Sequence, residues 1–393
     1  MDTIYDVIVV GGGPAGATAA YFLGKAGRRV LVIEKATQPR YKACGGGLSL
    51  SFLESQFPFS FDSIIETDVE AITYVLDEHS VTIPLPTSEM RMVMRDRFDA
   101  YLLAQAQAEV WQGVAVRKVT ETPGCVSVET SDGRTATGIL LIGADGANSV
   151  VAQAVGLRRG KALAAAIEVE VFPEVMDRFA SNPVFIFGEV RHGYLWIFPK
   201  ASHLSVGIAA LHPKPGELQV TLRRVMSRNA ISLDGFQMHG HPIPLYTGRE
   251  AITTRRVLLA SDAAGLADPF SGEGIRLAIT SGRLAAEAIL ANRPEQYEKM
   301  IFRQIGFSQW CGLGLSWLFY HFQMVCFIFG AHNPFVTRAF INLLSGRVGY
   351  PTVVIRIFAT LPLFLLSEGL IQLAGLVGGP KKRRWLRTRI YPA

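Results

Sequence analysis

A thiol followed by three glycines, Cys44-Gly45-Gly46-Gly47, is the segment of this chain best suited to chemistry beside a bound ring. Adjacent glycines let the backbone lie close to a flat ring. A thiol is protonated in neutral water and can donate, so Cys44 is a candidate catalytic proton donor, a gate, or a small residue that fits. Upstream, Gly11-Gly12-Gly13-Pro14-Ala15-Gly16 follows an apolar run and opens a helix-like stretch. Gly11 permits a tight turn, Gly13 lets the backbone approach a pyrophosphate, and Gly16 lets helix and strand pack closely. Pro14 and Ala15 begin the helix whose N-terminus faces negative charge. Glu34, with Lys35 beside it, ends the next strand-like run at the spacing of an acid that accepts from a ribose hydroxyl. These residues form a dinucleotide-binding constellation. Alone they do not separate a flavin from a nicotinamide.

Two later strand-to-turn segments each carry an aspartate, Asp145 within Leu140–Ser149 and Asp262 within Val257–Gly265. An aspartate at a strand end can accept from sugar hydroxyls. Gly272-Glu273-Gly274-Ile275 opens another helix, whose free backbone N–H groups suit a ring oxygen. Arg95, followed by Phe98, Asp99 and Leu102, is a further candidate cofactor contact. In isolation each segment is equally an ordinary strand-to-helix turn.

In this order and spacing the segments resemble the paired flavin motifs of the p-hydroxybenzoate hydroxylase superfamily. The resemblance implies FAD as cofactor, with Asp145 near the dinucleotide, Asp262 on the ribityl chain and the Gly45 segment close to the isoalloxazine. Ser261 stands where that superfamily usually has Gly, and Ala152 where it often has Arg. The Cys44–Gly47 run, together with Tyr194-Leu195-Trp196-Ile197-Phe198-Pro199-Lys200 and Gly207, is similar to the PCGGG and YxWxFPK segments of the geranylgeranyl reductase family. Ala43 replaces the usual Pro, and the likeness covers roughly residues 1–290. It implies an FAD-dependent reductase that saturates C=C bonds of an isoprenoid chain, with electrons from an external donor, NADPH or ferredoxin. Tyr194, Trp196 and Phe198 alternate on a strand and project from one face, either as a substrate-binding trough or as packed core. A flavin monooxygenase acting on an apolar substrate and a non-catalytic membrane-associated flavoprotein are the alternative functions. His239 and His241 resemble the family's loop returning to the cofactor domain and read as structural.

The opening Tyr5–Val10, Gly11–Gly16, Ala17–Ala26 and Arg29–Glu34 is a βαβ unit. Ala71–Leu76, Val126–Thr130, Val184–Phe187, Tyr194–Phe198 and Leu204–Ala209 read as strands of an antiparallel sheet. The expected fold is α/β. A Rossmann-like FAD-binding domain of the GR2 type, discontinuous over 1–50, 91–160 and 250–295, is interleaved with an antiparallel β-sheet substrate domain over 51–90 and 161–249. A C-terminal apolar helical region, 296–380, and a basic tail, 381–393, follow.

With 393 residues the chain can bury a large core. Its net charge of +6 resides in Lys381, Lys382, Arg383, Arg384, Arg387 and Arg389, directly after an apolar stretch. That placement suits an anionic membrane surface better than nucleic acid. No Asp, Glu, Lys or Arg occurs between Arg303 and Arg338, and a second apolar stretch runs from Val353 to Val377. Polar interruptions in both favour helices lying in a membrane interface, or a greasy lid, over a clean span. Four widely spaced cysteines form no disulfide framework or zinc pattern, so no metal is expected. The N-terminus lacks a secretory pattern, which predicts a cytoplasmic, membrane-associated protein.

Overall fold

The computed structural model describes residues 4–86, 89–158, 162–172, 176–179 and 182–390. It divides into two compact units, each assembled from separate chain segments. The first takes Met1–Gly46, Val93–Ala166 and His239–Leu313, the second Gly47–Met92, Ile167–Met238 and Gly314–Ala393.

In the first unit, strand Ile4–Val10 pairs in parallel with Val30–Glu34 on one side and Thr135–Gly143 on the other. Val30–Glu34 pairs in parallel with Glu109–Gln112, and the end of Thr135–Gly143 with Val257–Leu259. Val7, Ile8, Val9, Leu31 and Val32 are fully buried. Such nearly continuous apolar strands belong to parallel sheets covered on both faces. Helices Pro14–Lys25 and Ile275–Leu290 pack so closely that a side chain at Gly282 would strike the Ala15 carbonyl.

Val126–Thr130 does not join the sheet proposed for it from sequence. It pairs antiparallel with Thr135–Gly143 and with Val116–Glu121, inside the first unit. The reason is local. Asp132-Gly133, with Gly133 at φ +85°, turns the chain back at once, and Thr130 N donates to Arg134 O at 2.9 Å. A tight hairpin needs little loop-closure entropy, so it forms before any distant pairing.

A second, seven-stranded sheet contains in neighbouring order Leu163–Val171, Leu204–Leu211, Gly193–Pro199, Val184–Phe187, Ala71–Leu76 and His79–Pro84. Gly193–Pro199 pairs antiparallel with both neighbours, and Ala71–Leu76 with His79–Pro84. The junction between Val184–Phe187 and Ala71–Leu76 is parallel. The chain between those two strands is a long excursion, and long connections, unlike hairpins, permit parallel pairing.

Helices Gln323–His332, Pro334–Leu344 and Tyr350–Ile390 follow, the last broken at Gly379, whose φ is +72°. Asn333 caps the second, its Oδ1 accepting from Phe335 N at 3.1 Å and Val336 N at 3.2 Å, with Pro334 at the first helical position. The side chains of Lys381, Arg383, Arg384, Arg387 and Arg389 in the basic tail lie outside the described residues.

Candidate functional site

The glycine turn of the first unit is dictated by close backbone approach. Gly11 has φ +105°, and a Cβ there would sit 2.3 Å from the Ala144 carbonyl oxygen. A Cβ on Gly16 would lie 1.9 Å from the Gly11 oxygen. Strand, turn and helix therefore close only with glycine at both positions. Glu34 is buried and holds this turn, its Oε2 accepting from Gly12 N at 2.6 Å and its Oε1 from Ala36 N at 3.0 Å.

Above the turn opens a cleft of about 640 Å³, within the size range of small-molecule sites. Gly11, Gly13, Pro14, Ala15, Glu34, Lys35, Asp145 and Asp262 line it. Gly16 stands behind the turn. The lining passes Lys42 and Ala43 and does not include Cys44, Gly45, Arg95, Gly272, Gly274 or Ile275. Gly274 nevertheless starts the Ile275–Leu290 helix with its Cβ direction 3.8 Å from Asp262 Oδ1. Asp145 does local work too: it accepts from Ser149 Oγ at 2.6 Å and Val151 N at 3.1 Å, locking the start of the Val150–Ala154 helix. Burial raises its pKa.

Arg95 is anchored from below by a buried carboxylate. Its guanidinium grips the fully buried Asp99 through Nε and Nη2, both at 2.8 Å, and shares a hydrogen bond with the Cys44 thiol. Arg40 reaches the same Asp99 at 3.0 Å and approaches Glu34 at 3.9 Å. A chain of ion pairs thus connects the glycine turn to the Cys44 segment. Arg40 lines the cleft, and its Nη1 is buried without a partner among the described residues. Such a donor fits a diphosphate oxygen.

Sequence reasoning left out Arg40, Lys42 and Asp268, and took His241 as structural only. His239 and His241 alternate on strand His239–Pro244 and both line the cleft, a period-two signal that was available. Burial, then the neighbouring Lys42 charge, pushes the His241 pKa down to about 4. Burial, reinforced by Arg95, also lowers that of Lys42. Asp268 arranges the loop ahead of the Ile275–Leu290 helix, its Oδ1 accepting from Phe270 N at 2.9 Å and Ser271 N at 2.8 Å.

Residues 6–85 match a family model described as an FAD binding domain. The chain is 31% identical over 298 residues to the geranylgeranyl diphosphate reductase of Rhodobacter capsulatus, covering 73% of this chain and 75% of the relative. It is 31% identical over 345 residues to the digeranylgeranylglycerophospholipid reductase of Thermoplasma acidophilum, covering 77% and 84%. The chain belongs to the geranylgeranyl reductase family. Its fold is similar to the crystal structure of a geranylgeranyl bacteriochlorophyll reductase-like protein from Thermoplasma acidophilum, with a TM-score of 0.74 and 25% identity over 91% of this chain and 96% of that one.

A geranylgeranyl reductase-family member is an FAD-dependent oxidoreductase, and the cleft fits FAD: a glycine cradle, a buried acid, a helix N-terminus and the unpartnered Arg40 donor converge on it.

In the second unit, Tyr194, Trp196 and Phe198 form an aromatic ladder with ring centroids 6.3 Å apart at each step. Phe185 joins its side at 5.6 Å from Tyr194 and 5.1 Å from Phe198, and Tyr74 stacks on Phe185 at 5.5 Å. Trp196 is held in one pose. Its Nε1 donates to Ser205 Oγ at 3.3 Å, Ser205 donates to the buried Glu168 at 2.5 Å, and its ring lies on Gly207, where a Cβ would fall 2.1 Å away.

Proposed function

We propose that the protein saturates carbon–carbon double bonds of an isoprenoid chain, with Cys44 on the proton-donating side and the Tyr194–Trp196–Phe198 face holding the substrate. The observation that carries this reading is the Trp196 indole pinned over Gly207 within an aromatic ladder, in a chain of the geranylgeranyl reductase family. Relatives named for geranylgeranyl diphosphate and digeranylgeranylglycerophospholipid support the substrate class.

Reduced FAD, when bound, supplies hydride to one alkene carbon. An isolated alkene is a poor hydride acceptor, so the protein's levers are orientation, exclusion of water and a proton placed within hydrogen-bond reach of the second carbon. Arg40 and Glu34 are the residues proposed to hold the diphosphate and ribose, Asp262 the ribityl chain, and Asp145 the loop beside them. Arg95, tied to Asp99, fixes the Cys44 thiol in one orientation. Trp196 and Phe198 are buried and Tyr194 is half-buried, so the Tyr194 end of the ladder is the part an extended prenyl chain would meet first.

A lipid-associated setting is part of the same reading. Helix Tyr350–Leu376 has a mean hydropathy of 1.8 over its most apolar window, only 11% of which is buried, and six cations follow it in sequence.

Anaerobic reoxidation tests the function. With flavin reduced by dithionite, a prenyl substrate should reoxidise it and gain two hydrogens by mass spectrometry. A monooxygenase would stay reduced until O₂ is admitted. Cys44→Ser should keep its yellow colour and reoxidise more slowly; an unchanged rate would remove the thiol from the chemistry.

A further inference from the structure

Arg158 carries three costs at once. It sits in the left-handed region at φ +55°, it is only 5% exposed, and its Nε and Nη2 are buried without a partner among the described residues. A left-handed residue other than glycine is strained, and a buried donor left unpaired loses its hydration with no return. An apolar side chain of similar volume would avoid the second loss. Stability alone therefore does not account for an arginine here.

The surroundings of the guanidinium point to another task. Its Nη1 meets Glu250 Oε1 at 2.5 Å. The remainder lies across Gly265, where a Cβ would stand 1.9 Å from Nη2, 2.4 Å from Cζ and 2.9 Å from Nε. The unpaired edge of the fork is thus the edge pressed against the glycine. Gly265, at φ +65°, ends the short helical turn Ser261–Ala264, its N–H donating to Asp262 O at 3.1 Å. Asp262 on that turn lines the cofactor cleft, and Arg158 does not.

Both ends of this stretch are tied to the framework by other groups. Ala260 N donates to Gly143 O at 2.9 Å and Ser261 N to Ser281 Oγ at 3.0 Å, while Ala267 O accepts from Tyr246 N at 2.8 Å. The guanidinium bears on the crown between them. Arg158 itself follows the Val150–Ala154 helix, whose start Asp145 locks, so one side chain joins the segments that carry two cleft-lining aspartates.

We infer that Arg158 is a positioning residue for FAD: laid across Gly265 and tied to Glu250, its guanidinium holds the Ser261–Ala264 turn so that Asp262 presents its carboxylate to the cleft. This rests on Asp262 as the ribityl contact and adds the group that aims it. Glu250 fixes one edge of the fork, and the other edge presses on the turn.

The test follows FAD release from the holoprotein, read as the rise of free flavin fluorescence on dilution, with visible circular dichroism reporting the pose of the bound ring. Arg158→Met should speed release by about tenfold and alter the flavin dichroism, while far-UV dichroism and elution volume stay those of the parent. Arg158→Lys keeps a charge opposite Glu250 but has no planar fork, so it should release FAD as Arg158→Met does. Glu250→Gln disturbs the same guanidinium from a part-exposed position, and should speed release less. Asp262→Asn should also speed release, and the double variant Arg158→Met/Asp262→Asn should be no faster than its faster parent, because both changes disable one contact. The inference is overturned if Arg158→Met and Arg158→Lys keep the parent rate while Asp262→Asn is fast, or if the effects at 158 and 262 multiply. A parent rate in Asp262→Asn would overturn the ribityl assignment, and the inference with it.

Discussion

The Arg95 guanidinium binds Asp99 through two hydrogen bonds of 2.8 Å and the Cys44 thiol through another, so a buried ion pair stands directly behind the candidate proton donor. Asp99 is fully buried and Arg95 nearly so. Replacing Asp99 by Asn leaves a buried guanidinium without its counter-charge, which costs about 3–5 kcal/mol. Thermal unfolding of Asp99→Asn should shift down strongly. A melting temperature equal to that of the parent would remove the pair from the architecture.

Glu34→Ala removes the acceptor for Gly12 N and Ala36 N and the acid, proposed to hold the ribose, that lines the cleft. Losing a charged acceptor costs about 1.5–3 kcal/mol, or roughly tenfold and more in affinity. Fluorescence titration of apoprotein with FAD should show it, and undiminished affinity would contradict the ribose assignment.

Ser261 occupies the left-handed region at φ +55°, at the position where the superfamily usually carries Gly. A side chain there costs roughly 1–2 kcal/mol, partly offset by glycine's greater freedom in the unfolded chain. Ser261→Gly should raise the urea midpoint by the equivalent of about 1 kcal/mol. Ser261→Ala, which keeps the Cβ, should not.

The pKa of His241 is depressed to about 4, by burial first and by Lys42 second. The unfolded chain, with an ordinary imidazole pKa of about 6.5, binds that proton more readily than the folded one. Stability therefore rises with pH across this window and falls as pH drops from 6.5 toward 4, by on the order of 2–3 kcal/mol. Equilibrium unfolding at a series of pH values should show the slope in the parent and a flatter one in His241→Asn. Equal slopes would assign the acid sensitivity to other groups.

Gly207→Ala drives a methyl into the Trp196 ring and loosens its bond to Ser205. Overpacking of this kind costs about 1–3 kcal/mol. If the ladder holds substrate, KM for the prenyl substrate should rise while FAD affinity stays constant. A lowered FAD affinity with unchanged KM would make the ladder a structural element only.

Much of the cofactor cleft was legible from residue order because its parts are local. A glycine turn, the acid ending the next strand and an aspartate at a strand end each act through backbone geometry within a few residues. Gly11, Gly13, Glu34, Asp145 and Asp262 consequently line one cleft in the structure. The aromatic alternation at Tyr194, Trp196 and Phe198 needs only a strand to place it on one face.

What depends on distant partners was hidden. Val126–Thr130 alternates as any half-covered strand does, and only its hairpin decided which sheet took it. Arg95 reads in the sequence as a candidate cofactor contact, and only folding shows that part of its guanidinium is held by the buried Asp99. His241 and Lys42 acquire their depressed pKa values only when folding brings them together and out of water. The apolar C-terminus could be recognised from composition, but Phe327 and Phe329 turning toward different clusters is a fact of packing. Composition and short spacing determine which groups are present and how their own backbone bends. Burial and charge environment are sums over neighbours from remote segments, and those sums exist only in the folded chain.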